Sequence, residues 1–278
     1  MSEAPLADAP AAGELPAAWV GLLWIGAAFL SAVCGIGGGL FAVPLLHYLG
    51  GLPLKRAVAT SLVLVCVQTV TGTLVELLHQ DSGLDGPAVA LLIAGGYVGA
   101  RVGFALSRRI HTLWLKRIFA LMLIVSAVRI LGLDVRTADQ VAAGFGNFSL
   151  VTASVVVLIG FAGGVVSPLL GVGGGLIVIP ALLILLPGVT YIQARACSTA
   201  MSVFTSSQSA AMHWQAGNVD RRLAWRFALL TAFGAAAGVL AVHQPGWAEV
   251  ARTAMAVILI LVAVRFAWDG LRGREVAG

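Results

Sequence analysis

The sequence predicts an all-α polytopic membrane protein of two homologous repeats, each opening with a glycine-broken, re-entrant helix followed by three transmembrane helices. Three observations carry this expectation. Hydrophobic residues make up 59% of the 278-residue chain and charged residues 10%, with a mean hydropathy of +0.98. A soluble domain carries about 25% charged residues, so this chain has too few to cover a water-facing surface. A membrane span needs roughly 20 apolar residues, and stretches of that order lie at about 17–49, 57–78, 87–107, 114–133, 150–187, 196–214, 223–242 and 250–268. Finally, GIGGGLFAVP at 35–44 recurs as GVGGGLIVIP at 171–180.

The first 16 residues carry Glu3, Asp8 and Glu14 and no Lys or Arg. A signal peptide needs a basic start, so a short disordered tail is expected at 1–16. The first repeat then runs over 17–133, a polar linker over 134–149, the second repeat over 150–268, and a short tail over 269–278. The duplication persists along both units. Gly99 and Gly103 face Gly234 and Gly238, Ala127–Arg129 faces Ala263–Arg265, and Thr60-Ser61 corresponds to Ser198-Thr199.

Each opening segment is too long for one straight span, because 33 helical residues reach about 50 Å across a hydrocarbon core of about 30 Å. The glycines inside it weaken a helix by up to about 1 kcal/mol each. The expected form is a helix, a break, and a short second helix beginning near Leu40 or Leu176. If the segment folds back, the halves are inverted and the basic residues sort thirteen to four. One side holds Lys55, Arg56, Arg101, Arg108, Arg109, Lys116, Arg117, Arg221, Arg222, Arg226, Arg265, Arg272 and Arg274; the other holds Arg129, Arg136, Arg195 and Arg252. Parallel halves would divide them about evenly. The positive-inside rule therefore favours inverted repeats with both termini cytoplasmic.

The net charge of +5 is explained by such loops, and no long basic tract points to nucleic acid. Cys34, Cys66 and Cys197 are scattered and have no ligand or disulfide spacing. No HExxH, GxSxG or paired intramembrane carboxylates occur, so neither an enzyme nor a bound metal or cofactor is expected.

The candidate site residues are of two kinds. The first are Gly35, Gly37, Gly38, Gly39 and Pro44, with Gly171, Gly173, Gly174, Gly175 and Pro180. A break at membrane depth frees backbone groups that need protein or a wet cavity. The helix starting after it turns its positive end toward the break, which suits an anion. Paired broken helices in inverted repeats point to a midplane substrate site; the competing reading is close packing through small residues. The second kind are the hydroxyls and amides of the following spans: Thr60, Ser61 and Gln68, then Ser198, Thr199, Ser206 and Gln208, among neighbours such as Thr69, Ser202 and Thr205. Neutral donors suit an oxyanion that must be released again, although Ser and Thr also bond within their own helix.

Among ionisable groups, Glu76 and Arg101 lie near span ends, where snorkelling is open to them. His47 and His213 lie near the expected membrane surface, as packing residues or proton-coupling groups. Arg195 opens a span and either attracts anions or caps it.

The duplicated GIGGGLFAVP and GVGGGLIVIP, the Ala57–Ser61 segment with its partner Ala194–Thr199, and the GxxxG-type third spans resemble the TauE/SafE family of sulfite exporters and toluene-sulfonate uptake permeases. The resemblance covers about 17–268. It implies a secondary transporter in the cell (inner) membrane that exports small sulfur-containing or organic anions, such as sulfite or sulfonates, coupled to a proton or sodium gradient. The motif positions that carry over are the ten Gly and Pro residues named above. The partners expected are a small anionic solute, membrane lipids and a coupling ion, with a homodimer left open. The alternatives are an importer of another small metabolite and a non-transporting membrane sensor or assembly partner.

Overall fold

The computed structural model describes residues 17–79, 82–107, 149–186, 188–247 and 249–251, with scattered positions from 253 to 264. The span expected at 114–133, most of the 134–149 linker, both tails and the Ala127–Arg129 pairing lie outside these residues. The described residues are helical, with no strand among them. In chain order the helices are α1 (Ala17–Cys34), α2 (Gly39–Pro44, running on as a π-helical turn, Leu45–Leu49), α3 (Leu54–Leu77), α4 (Gly86–Ser107), α5 (Leu150–Leu170), α6 (Gly175–Leu185), α7 (Tyr191–Gln215) and α8 (Arg221–Val242). Helical residues recur at the described positions between 247 and 264.

Local chemistry sets the ends of these helices. Ser149, Thr190 and Asp220 cap α5, α7 and α8 by accepting from the backbone N–H groups of Thr152, Gln193 and Leu223. Gln193 answers Thr190 in a capping box. α2 and α6 are different: their N-caps, Gly38 and Gly174, are left-handed and supply no side-chain cap. Both helices begin one residue ahead of the positions expected from sequence.

Among the described residues, four helices are long and apolar enough to cross a membrane: Lys55–Leu77, Gly86–Ser107, Leu150–Leu170 and Arg221–Val242. Their outer faces expose Leu74 and Leu77, Tyr97 and Val98, Leu150 and Leu158, and Trp225, Leu229 and Phe233. Apolar exposure of this kind is stable against lipid and not against water. α7 spans 25 residues but carries seven serines and threonines, which lower its hydropathy. It lies inside the bundle instead, with Ser198, Ser202, Thr205, Ser206 and Ser209 buried.

Lipid tails are as apolar as leucine, so helices in a membrane are held by close packing rather than by apolar burial. Glycine supplies it here. A Cβ on Gly95, Gly99 or Gly103 of α4 would stand 2.0, 2.2 or 2.0 Å from the carbonyl oxygens of Val157, Phe161 and Val165 of α5. On α8, a Cβ on Gly234 or Gly238 would stand 2.7 or 2.5 Å from those of Ile25 and Phe29 of α1. Both pairs run in the same direction, since partner numbers rise together. Trp24 adds a 2.7 Å hydrogen bond from Nε1 to Thr231 Oγ1 and stacks on Phe227 with ring centroids 4.1 Å apart.

α3 lies between α7 and α8. It runs parallel to α8, with the Asp220 N–H donating to Thr60 Oγ1 (2.9 Å) at one end and Glu76 beside His243 at the other. It runs antiparallel to α7: Cys66 Sγ lies 3.1 Å from Ser207 Oγ, and Glu76 meets Arg195. Lys55 and Asp220 therefore lie at one end of the bundle and Arg195 at the other.

Candidate functional site

The two glycine breaks cross. Gly35, Gly37 and Gly38 in the first, and Gly171, Gly173 and Gly174 in the second, all have positive φ, from 70° to 92°. Only glycine adopts that region without penalty. At the crossing the chains meet backbone to backbone. A Cβ on Gly39 would lie 1.7 Å from Gly171 O, one on Gly37 2.8 Å from Val172 O, and one on Gly175 2.5 Å from Gly35 O. Val65 of α3 and Ser202 of α7, each near the middle of its helix, flank Gly173 here.

Carbonyls released by the breaks are taken up by hydroxyls. Ser61 Oγ shares its proton between Val58 O of its own helix (2.8 Å) and Gly171 O (3.1 Å), and Ser202 and Thr205 donate to Gly173 O at 2.6 and 3.2 Å. Leaving such a group unpaired costs about 1–3 kcal/mol. Part of the hydroxyl richness of α3 and α7 is thus structural.

The two breaks differ in what they face. The N-cap of α6 is closed, because a Cβ on Gly174 would lie 2.8 Å from Gly163 O. The N-cap of α2 opens on a small cavity of about 10 Å³, room for about one water, lined by Gly38, Trp24, Ala28, Ala42, Leu64, Gln68 and Thr231. A second cavity, also of about 10 Å³, lies beyond Gln68 and is lined by Ser31, Gly35, Gly37, Gln68, Thr69, Gly72, Thr199 and Val239. Gln68 borders both. Its Nε2 donates to Ser31 Oγ at 2.7 Å, and its Oε1 lies 2.0 Å from where a Cβ on Gly38 would stand. The surroundings of Gly38 carry no fixed charge: Gln68 turns its amide oxygen toward Gly38, and the Ser31 and Thr231 hydroxyls donate to Ala28 O and Phe227 O, so an anion here requires the Gln68 amide to turn its NH2 inward.

The remaining sequence candidates fall elsewhere. Thr60 caps the approach to α8, and Ser61 serves Gly171. Pro44 ends α2 on an exposed face, whereas Pro180 is buried within α6. Ser198 is buried beside Gly175, its Oγ without a partner. Thr199 lines the second cavity while donating to Arg195 O (2.9 Å). Ser206 and Gln208 reach neither cavity. Ser206 Oγ donates back to Ser202 O (2.5 Å), because a serine facing a packed neighbour satisfies itself within its helix. Gln208, in the amide orientation that satisfies both its groups, bonds Tyr97 O and Arg101 Nε on α4. Ser31 is a lining residue that the sequence did not single out, being one serine in an apolar run.

Among the ionisable residues, Glu76 and Arg195 depart from expectation. Glu76 does not snorkel: it is 2% exposed and paired with Arg195, itself 1% exposed. Arg195 does not cap α7, a role that belongs to Thr190. His213, in the last turn of α7, is buried against Pro168 O (3.4 Å) and the Phe104 ring, as the packing reading expects. His47 Nδ1 lies 2.7 Å from Leu52 O. Arg101 remains near a span end, its guanidinium over the Tyr97 ring.

The sulfite exporter TauE/SafE family model matches residues 4–130 and 156–277. Similar proteins include the probable membrane transporter protein MamO of Paramagnetospirillum magneticum, 37% identical over 107 residues, which are 36% of this chain and 17% of that protein. Another is the probable membrane transporter protein YunE of Bacillus subtilis, 35% identical over 98 residues and 35% of each chain. The match thus spans about a third or less of these relatives' length. No solved structure matches. With the family model covering nearly all of the sequence and four apolar helices of membrane-spanning length, this chain is a multi-pass membrane protein belonging to the TauE/SafE family of membrane transporters.

Proposed function

We propose that the chain is a secondary transporter exporting a small oxyanion, sulfite or a sulfonate, across the cell (inner) membrane, with a coupling ion of proton or sodium type. The solute passes between two inverted repeats, 17–133 and 150–268, at the crossing of their glycine breaks. The observation that carries this reading is the position of Gln68. It separates two cavities at the level of the crossing, one on each side, as a midplane solute site with alternating access requires.

The pairing of helices supports the inverted arrangement. Exchanging corresponding helices of the two halves turns the α1–α8 pair into the α4–α5 pair and leaves the antiparallel α3–α7 pair unchanged. The contact of Gly39 with Gly171 likewise becomes that of Gly175 with Gly35. The folding back of the opening segment is supported by Leu46 and Leu52, which pack with Trp24 and Phe227 near the start of α8. Lys55, Arg56, Arg221, Arg222 and Arg226 share that end, which the positive-inside rule makes cytoplasmic.

Solute-facing roles fall to Gly35, Gly37, Gly38, Gln68 and Thr199, with Ser198 behind them. Gly39, Gly171, Gly173, Gly174, Gly175, Pro44, Pro180, Thr60 and Ser61 shape the breaks and their surroundings. The test is flux of labelled sulfite, sulfonates and carboxylates into proteoliposomes. Saturable flux of the sulfur oxyanions supports the reading. Flux of carboxylates alone assigns a different solute, and no flux from folded protein makes the chain a non-transporting membrane partner.

A further inference from the structure

We propose that Arg195 is a charged anion subsite held shut by Glu76, and that one proton taken up by the Glu76–His243 pair opens it. The proposal rests on the transport reading and adds to it the identity of the coupling ion. Arg195 Nη2 donates to Glu76 Oε2, and His243 Nε2 stands 3.2 Å from Glu76 Oε1, off the line of a hydrogen bond. These groups come from α7, α3 and the end of α8, and all three are more than nine-tenths buried.

A buried ion pair is a weak source of stability, because desolvating both charges offsets their attraction. Glu76 Oε1 also accepts from the Gly83 N–H at 3.4 Å, which ties the pair to the loop after α3, and the pair's position gives a second reason for it. Gly72 and Thr199 line the second cavity, and Glu76 and Arg195 sit one helical turn beyond them. The stem of Arg195 backs the cavity wall, since a Cβ on Gly35 would lie 2.4 Å from Arg195 Cγ. Two buried polar atoms on this face of α7, Arg195 Nε and Ser198 Oγ, have no partner.

With Glu76 ionised and His243 neutral, the cluster carries no net charge and an anion has nothing to neutralise. A proton from solution, held on Glu76 or His243, leaves a net charge of +1 in a low-dielectric site. An oxyanion entering the cavity restores neutrality on Arg195. Proton and anion then strengthen each other's binding by the same factor. The other titratable groups facing the cluster are His79, stacked on His243 at 4.1 Å, Asp85 between α3 and α4, and Tyr191 and Cys197 of α7. Asp85 is occupied by the Ala88 N–H, and Tyr191 donates to Cys34 O.

The experiment is thermal melting of the detergent-purified full chain with and without methanesulfonate, whose charge does not change with pH, at mildly acidic and mildly alkaline pH. Wild type should bind more tightly in acid, by up to about tenfold per pH unit, the limit for one linked proton. Glu76→Gln should bind tightly at both pH values, and Glu76→Gln/Arg195→Gln at neither. A wild-type shift that does not grow toward acid overturns the proposal. So does equal stabilisation of the single and double variants. If Glu76→Gln does not fold, the wild-type pH dependence against the double variant decides. Flux that persists without these shifts counts against this proposal alone, whereas shifts without flux count against the transport reading alone.

Discussion

Gly39 and Gly171, 132 positions apart, approach so closely that a Cβ on Gly39 would fall 1.7 Å from the Gly171 carbonyl oxygen. The two breaks are therefore one structure. Neither can take a side chain at this crossing without moving the other, which makes the crossing both a packing contact and the boundary of the cavities.

Gly39→Ala and Gly175→Ala should each sharply lower the yield of folded protein, since both meet backbone atoms that cannot step aside. Gly26→Ala is the control. Nothing lies within 4 Å of its Cβ, and the change should be neutral or stabilising by up to about 1 kcal/mol. Size-exclusion profiles and melting in detergent read all three.

Removing a hydroxyl that serves a break should cost stability unequally. Ser61→Ala removes a donor shared between Val58 O and Gly171 O and should destabilise by about 1 kcal/mol. Ser202→Ala should cost less, because Thr205 still donates to Gly173 O, and the Ser202→Ala/Thr205→Ala pair should exceed the sum of the singles. Denaturation midpoints of the four variants test the ordering.

Gln68 should matter to the solute more than to the fold. Gln68→Leu keeps its volume but removes the amide between the cavities, and should weaken apparent affinity by about 1.5–3 kcal/mol for a bond to a charged solute. Ser206→Ala should leave affinity unchanged, because that hydroxyl is spent within its own helix. Dose–response curves of anion flux compare the two.

Much of this was legible in the sequence for a physical reason. A glycine run inside an apolar segment has few uses other than a break, and both runs interrupt their helices with glycines of positive φ. The GxxxG spacing likewise announced the close faces of α4 and α8. What could not be read was which neighbour each polar side chain meets. Ser206 and Gln208 looked like solute donors until α7 took its rotation in the bundle, which turned one to its own backbone and the other to Arg101. Glu76 and Arg195, 119 residues apart, looked like two span-end charges because nothing local in sequence joins them.

Topology offers an independent check. Cysteines at Lys55 and Ala216, both exposed, should label from the cytoplasmic side, and one at Gln244 from the opposite side, in a chain whose three native cysteines have been replaced. Labelling of Lys55→Cys and Ala216→Cys from opposite sides would rule out inverted halves.

The most direct test of a solute path through the glycine crossing is flux by Gly38→Ala beside wild type, at equal amounts of folded protein in proteoliposomes. The new methyl group meets only the movable end of Gln68, though the positive φ adds some strain, so much of the protein should still fold. Saturable sulfite or sulfonate flux in wild type, abolished in Gly38→Ala while its melting profile remains cooperative, is the predicted result. Flux per folded molecule equal to that of wild type would contradict it and leave the glycine breaks as packing devices alone.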